Sequence, residues 1–130
     1  MQWCTIDLHI HTPASSDYQQ SDVTFLDILH RAESRGLAMI AITDHNTVAG
    51  YRRMFEEIEQ LELLEKLERI RPEEKARVLE YRRLLNKIMV LPGFEFTATF
   101  GFHILAIFHP EKPVREIEHL LLDLEIPHDQ

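Results

Sequence analysis

A single cysteine, Cys4, leaves no internal disulfide to form, in keeping with a reducing compartment. No apolar run reaches the roughly 18 residues that cross a bilayer. Met1 leads within a few residues to Asp7 and His9 rather than into a basic and then apolar leader. A soluble, cytoplasmic chain with no membrane partner is the expectation. Positive charge is also scarce: 14 Lys and Arg face 22 Asp and Glu, for a net charge of −8. That balance argues against a general nucleic-acid surface, which needs clustered cations to neutralise phosphates. Residues 51–87 hold ten of the fourteen basic residues and nine of the acidic ones, leaving four basic against thirteen acidic elsewhere. Acidic, His-rich surroundings suit cations, and bound metals would reverse the local sign for an anionic substrate. Internal repeats, low-complexity linkers, phosphate-cradling glycine loops, Ser-x-Gly nucleophile turns and redox-cofactor signatures are all missing.

What is present reads as one domain over residues 1–130, with 45% hydrophobic and 28% charged residues. From Cys4 to His11 the residues alternate: Cys4, Ile6, Leu8 and Ile10 face one way, Thr5, Asp7, His9 and His11 the other. This predicts a strand with one functional face. Thr24 suits a helix cap with Asp27 three residues on, Phe25, Ile28, Leu29 and Ala32 form an apolar stripe, and Gly36 stops the helix. Leu37 to Thr43 is nearly all apolar, as for a strand buried on both faces, and ends in Thr43, Asp44, His45 and Asn46. Residues 47–87 are longer than one crossover helix, and their apolar period, interrupted at Pro72, predicts a helical hairpin inserted in the domain. It reads as an elaborated crossover with a solvated charged face or as a partner-binding arm. Met89 to Phe96, broken by Pro92 and Gly93, and His103 to Phe108 predict two more strands, and Val114 to Leu124 a last helix. The order β, α, β, α, β, β, α implies an α/β fold with mostly parallel strands and functional groups at their C-terminal ends.

His9 and His11, two apart on a strand, project from one face and can grip one metal ion or two adjacent ones. Asp17 follows in a loop with Ser15 and Ser16, His45 ends the second strand, and Glu95 lies on the third. Neutral imidazole suits Zn, Mn and Fe, and a carboxylate can bridge two cations. Two cations about 3.5 to 4 Å apart suit hydrolysis at a phosphoryl group.

The segments Asp7-Leu8-His9-Ile10-His11-Thr12, Ser16-Asp17, Ile42-Thr43-Asp44-His45-Asn46 and Pro92-Gly93-Phe94-Glu95 resemble, in order, the motifs of the polymerase and histidinol phosphatase (PHP) domain family. His103, in Gly101-Phe102-His103-Ile104-Leu105-Ala106, is similar to that family's next metal-binding histidine. The resemblance implies two or three divalent metals at the C-terminal mouth of a distorted seven-stranded α/β barrel, and phosphoester hydrolysis by a metal-held hydroxide. It implies that His9, His11 and Glu95 hold one metal, that Glu95 bridges to a second held by His103, and that Asp17 and His45 begin a third site. Asp7 and Asp44 are assigned behind the ligands, where a carboxylate commonly orients a ligand imidazole. A capping role is the alternative for either.

The family's later histidine and Asp-x-His pair have no counterpart after His103, with His128 as a stand-in for the histidine alone. His109 reads as a turn residue, and His30 and His119 as helix-surface positions. Four strands make at most half of a barrel, so an incomplete (β/α)7 barrel with exposed edge strands is expected, completed by a missing C-terminal segment or a second copy. The Phe102–Phe108 region looks most like PHP domains joined to a chromosome-maintenance type ATPase. Three functions follow. The first is a phosphoesterase acting on a phosphorylated small molecule or a nucleic-acid phosphodiester. The second is a non-catalytic metal-binding or scaffolding part of a larger ATPase-linked repair or defence protein. An amidohydrolase, disfavoured by the Thr-Asp-His sequel, is the third.

Overall fold

The structure, a computed structural model, describes residues 3–13, 23–97 and 101–125. Its elements run β1 (Thr5–Ile10), α1 (Phe25–Ser34), β2 (Leu37–His45), α2 (Ala49–Lys66), α3 (Pro72–Lys87), β3 (Met89–Thr97), β4 (His103–Ile107) and α4 (Val114–Glu125). The strands form one sheet in the order β1-β2-β3-β4, curled as half of a barrel. Among the described residues no helix is long and apolar enough to cross a membrane.

Local chemistry starts and stops these elements where expected. The Thr24 hydroxyl accepts from the Asp27 N–H and the Asp27 carboxylate accepts from the Thr24 N–H, a reciprocal cap for α1. Gly36, at φ 69°, takes the left-handed conformation that ends the helix. Pro72 occupies the first turn of α3, where its missing N–H costs nothing. The pairs β1–β2 and β2–β3 are parallel, as helix-linked strands require. The β3–β4 pair is antiparallel, so two of the three strand pairs are parallel, in keeping with the mostly parallel sheet expected. Only residues 98–102 join those two strands, and a parallel crossover needs about a dozen residues or more. The sheet is therefore mixed.

The expected break at Pro92 and Gly93 is absent: β3 runs unbroken through both. Pro92 O accepts from the Phe108 N–H at 2.9 Å, so the prolyl nitrogen faces the same edge, just past the end of β4. There the strand tolerates a residue that cannot donate. Gly93 meets a different demand, because a Cβ on it would stand 2.3 Å from the Ala106 carbonyl oxygen and 3.1 Å from Thr43 Cγ2.

One core lies between the sheet and its helices. Leu29 and Ala32 of α1, Met54 and Leu61 of α2, Val78, Tyr81 and Leu84 of α3 and Ile117 of α4 close over Ile40, Ile42, Val90 and Phe94. The hairpin is tied across its surface by Tyr81 Oη, which donates to Glu57 at 2.6 Å, and by Arg77 to Glu57 and Arg82 to Glu65. His30 lies exposed on α1 with Nε2 2.9 Å from Glu80 of α3, and His119 is exposed on α4. His109 sits in a turn, its Nδ1 accepting from the Glu111 N–H. The outer strands leave Ile6, Ile104 and Leu105 exposed.

Gly50, in the first turn of α2, packs on a buried polar contact between Asp44 and Thr12. A Cβ there would stand 2.2 Å from Thr12 Oγ1 and 2.3 Å from Asp44 Oδ2. We expect Gly50→Ala to lower unfolding stability by about 1 to 3 kcal/mol through overpacking. In an Asp44→Ala background, which removes one of the two close contacts and frees the Thr12 hydroxyl of the Asp44 bond, the added cost of Gly50→Ala should fall, since neighbouring substitutions couple. Urea denaturation of the four chains measures both, and equal costs in the two backgrounds would refute the contact.

Candidate metal centre

Three parallel strands bring their C-terminal ends to one rim. His9 lies near the end of β1 with His11 just beyond it, His45 ends β2, and Glu95 is opposite His45 in the β2–β3 register. Asn46, at φ 53°, turns the chain out of β2, and its N–H donates to the Glu95 carbonyl at 2.8 Å, which locks the two strand ends together. His103 enters from β4, paired with Thr97.

Glu95 is the hub. Its Oε2 lies 3.0 Å from His11 Nε2, 3.2 Å from His9 Nε2 and 3.3 Å from His45 Nε2. Its Oε1 lies 3.3 Å from His103 Nδ1, which is also 3.3 Å from Thr97 Oγ1. Only 4% of Glu95 is exposed. Burial pushes its carboxyl up, but the His9 hydrogen bond and the charges of His45 and His9 outweigh that, and it stands below its ordinary value. The anionic form is therefore the native one, suited to holding a cation.

His9 Nε2 and His11 Nε2 are 3.1 Å apart. Two protonated nitrogens do not face each other at that distance, so at least one presents a lone pair. Atoms bound to one ion at about 2.1 Å, at angles of 90 to 109°, stand about 3.0 to 3.4 Å apart. The spacings within the His9, His11 and Glu95 group fall in that range, and these three form a candidate metal site. The donor set, imidazole nitrogen with one carboxylate oxygen, fits a divalent transition ion.

The remaining expected site residues are placed differently. Asp7 Oδ1 accepts from the backbone N–H of His9 at 3.0 Å, so it braces the strand that carries the ligands. Asp44 is fully buried, and its carboxylate accepts from the Thr12 N–H at 2.5 Å and the Thr12 hydroxyl at 2.7 Å. Asp17 and His128 lie outside the described residues. Thr12, Thr97 and Gly50 carried no role in the sequence reading. Thr12 stands beside the His-x-His motif, but its partner is 32 residues away, and neither Thr97 nor Gly50 carries a local signal.

Because Glu95 touches all four histidines, we expect Zn or Mn to raise the melting temperature of the native chain and not of Glu95→Gln. A ligand at about 100 times its Kd adds about 2.7 kcal/mol. His103→Ala should keep part of the shift, since His103 approaches the other carboxylate oxygen. Calorimetry with and without metal tests this, and an equal shift in Glu95→Gln would remove Glu95 from the site.

No curated protein matches the chain. The profile of the PHP domain family, in contrast, matches residues 7–123, which include every motif quoted above. With that match over most of its length, and with a His and Glu cluster on the rim of a curled α/β sheet, the chain belongs to the PHP domain family.

Proposed function

We propose that this chain is a metal-dependent phosphoesterase. The observation that carries the reading is the buried Glu95 carboxylate, with imidazole nitrogens at 3.0, 3.2 and 3.3 Å on one oxygen and another at 3.3 Å on the second. In this proposal His9, His11 and Glu95 hold one ion, Glu95 extends to a second with His103, and Asp17 with His45 contributes to a third. Zn, Mn and Fe all suit the donors. When bound, such ions supply Lewis-acid stabilisation of the charge that grows on a phosphoryl group.

The chain's own residues set the stage for that chemistry. Glu95 stays anionic among the histidines and offsets cation charge in a half-dry setting. Asp7 and Asn46 fix the backbone beneath the ligands, through His9 N–H and Glu95 O respectively. The His9 and His103 side chains are 50% and 58% exposed, so a substrate reaches the cluster from solvent. In a second reading the same His and Glu cluster binds metal without catalysis as part of a larger ATPase-linked protein.

Hydrolysis of p-nitrophenyl phosphate with added Mn separates the two. The phosphoesterase reading predicts turnover above the metal blank, lost with chelator and reduced by 100-fold or more in Glu95→Gln and in His11→Ala, on the scale of removing a central electrostatic group. Turnover equal to the blank in the metal-loaded protein would leave the scaffold.

A further inference from the structure

We infer that the cavity between β1 and α1 binds a second anionic group of the substrate, through Arg31 and Arg35. The inference rests on the phosphoesterase reading and narrows its substrate class to molecules with a phosphate beyond the scissile one.

The cavity has a volume of about 440 Å³ and is bordered by His9 and His11 of the candidate metal site, by Arg31 and Ala32 of α1 and by Arg35 at its C-cap. That volume lies in the range of small-molecule sites. Outside residues 51–87 the chain has four basic residues, Arg31, Arg35, Lys112 and Arg115, and two of them border this one cavity. Five arginines are tied to carboxylates, Arg52 to Glu118, Arg71 to Glu74, Arg77 to Glu57, Arg82 to Glu65, and Arg83 to Glu33 and Glu80, whereas Arg53, Arg69 and Arg115 form no ion pair among the described residues but do not border this cavity. Arg31 and Arg35 form no ion pair among the described residues, and both are exposed. The one carboxylate on the lining, Asp7, is held by the His9 N–H.

Arg31 lies in the last turn of α1 and Arg35 is its C-cap, so the two backbones stand four residues, about 6 Å along the helix axis, apart, and both side chains border the cavity. A cation at a helix C-terminus suits the helix dipole, which accounts for Arg31 in the last turn and for Arg35 at the cap, but not for both sharing a cavity with the site histidines. Unpaired guanidinium groups present planar donor forks that match phosphate oxygens. A substrate with its reacting phosphate at the histidines and a second phosphate at Arg31 and Arg35 would engage both polar groups that line the cavity. An oligonucleotide and a small bisphosphate share that chemistry.

The test is binding, independent of turnover, using a fluorescent phosphorothioate thymidine trinucleotide and, as a competitor, a short alkyl bisphosphate. The unmodified protein, Arg31→Ala/Arg35→Ala, Arg31→Lys/Arg35→Lys and His9→Ala/His11→Ala are compared over a salt series with Mn present. We expect the alanine pair to bind about tenfold or more weakly, with the slope of log K against log salt smaller by about 1.4, two contacts at about 0.7 each for a single strand. The lysine pair should keep the slope. Displacement by the bisphosphate assigns the site to small molecules as well, and resistance to it assigns the site to strands. Binding lost in the histidine pair but kept in the arginine pair would overturn the inference and leave the metal-site reading intact. Unmodified protein that fails to bind either probe, or an alanine pair whose oligomeric mass changes while affinity does not, would overturn it too, the latter marking the cavity as a seat for another strand.

Discussion

A carboxylate removed from water destabilises a fold unless charge or hydrogen bonds are returned to it. Glu95 sits near the C-terminal end of the inner strand β3 with 4% of its surface exposed, and four histidines return that stabilisation from three other strands and their ends. The site and the sheet are coupled through Glu95: moving any of β1, β2 or β4 relative to β3 would strand a buried charge.

The architecture meets that constraint by registering parallel strands. Because β2 and β3 pair from Met39 with Met89 to His45 with Glu95, their chemistry arrives level at one end. The N–H of Asn46 on the Glu95 carbonyl then pins the register where the ladder stops. Behind the sheet, the bond between Asp44 and Thr12 does the same for β1 and β2, and α2 closes over it only because residue 50 has no side chain. Buried polar links of this kind specify one alignment, since any slip leaves donors and acceptors unpaired.

Charge is distributed in accordance with these roles. The helical hairpin carries most of the cations, ten against nine carboxylates, and pairs several of them with its own glutamates and others with Glu33 and Glu118, so its surface is near neutral in effect and adds little long-range field. The rim concentrates imidazole and carboxylate. Between rim and hairpin, α1 brings two arginines beside the site, and in a chain with a net charge of −8 those two give an anion a local reason to approach.

Much of the fold was legible in the sequence because it depends on near neighbours. The alternation around His9 and His11, the Thr24 and Asp27 cap, the apolar run of β2 and the broken helical period before Pro72 each follow from contacts within a few residues. So does the placing of His9 and His11 on one face, which needs only the two-residue period of a strand. The run through Pro92, the antiparallel turn into β4, the 3.3 Å approach of His103 to Glu95 and the hold of Asp44 on Thr12 were decided by tertiary structure. Each joins residues whose relation is set by which strand edge faces which, and a one-dimensional pattern records the faces of a strand but not the neighbours across its edges.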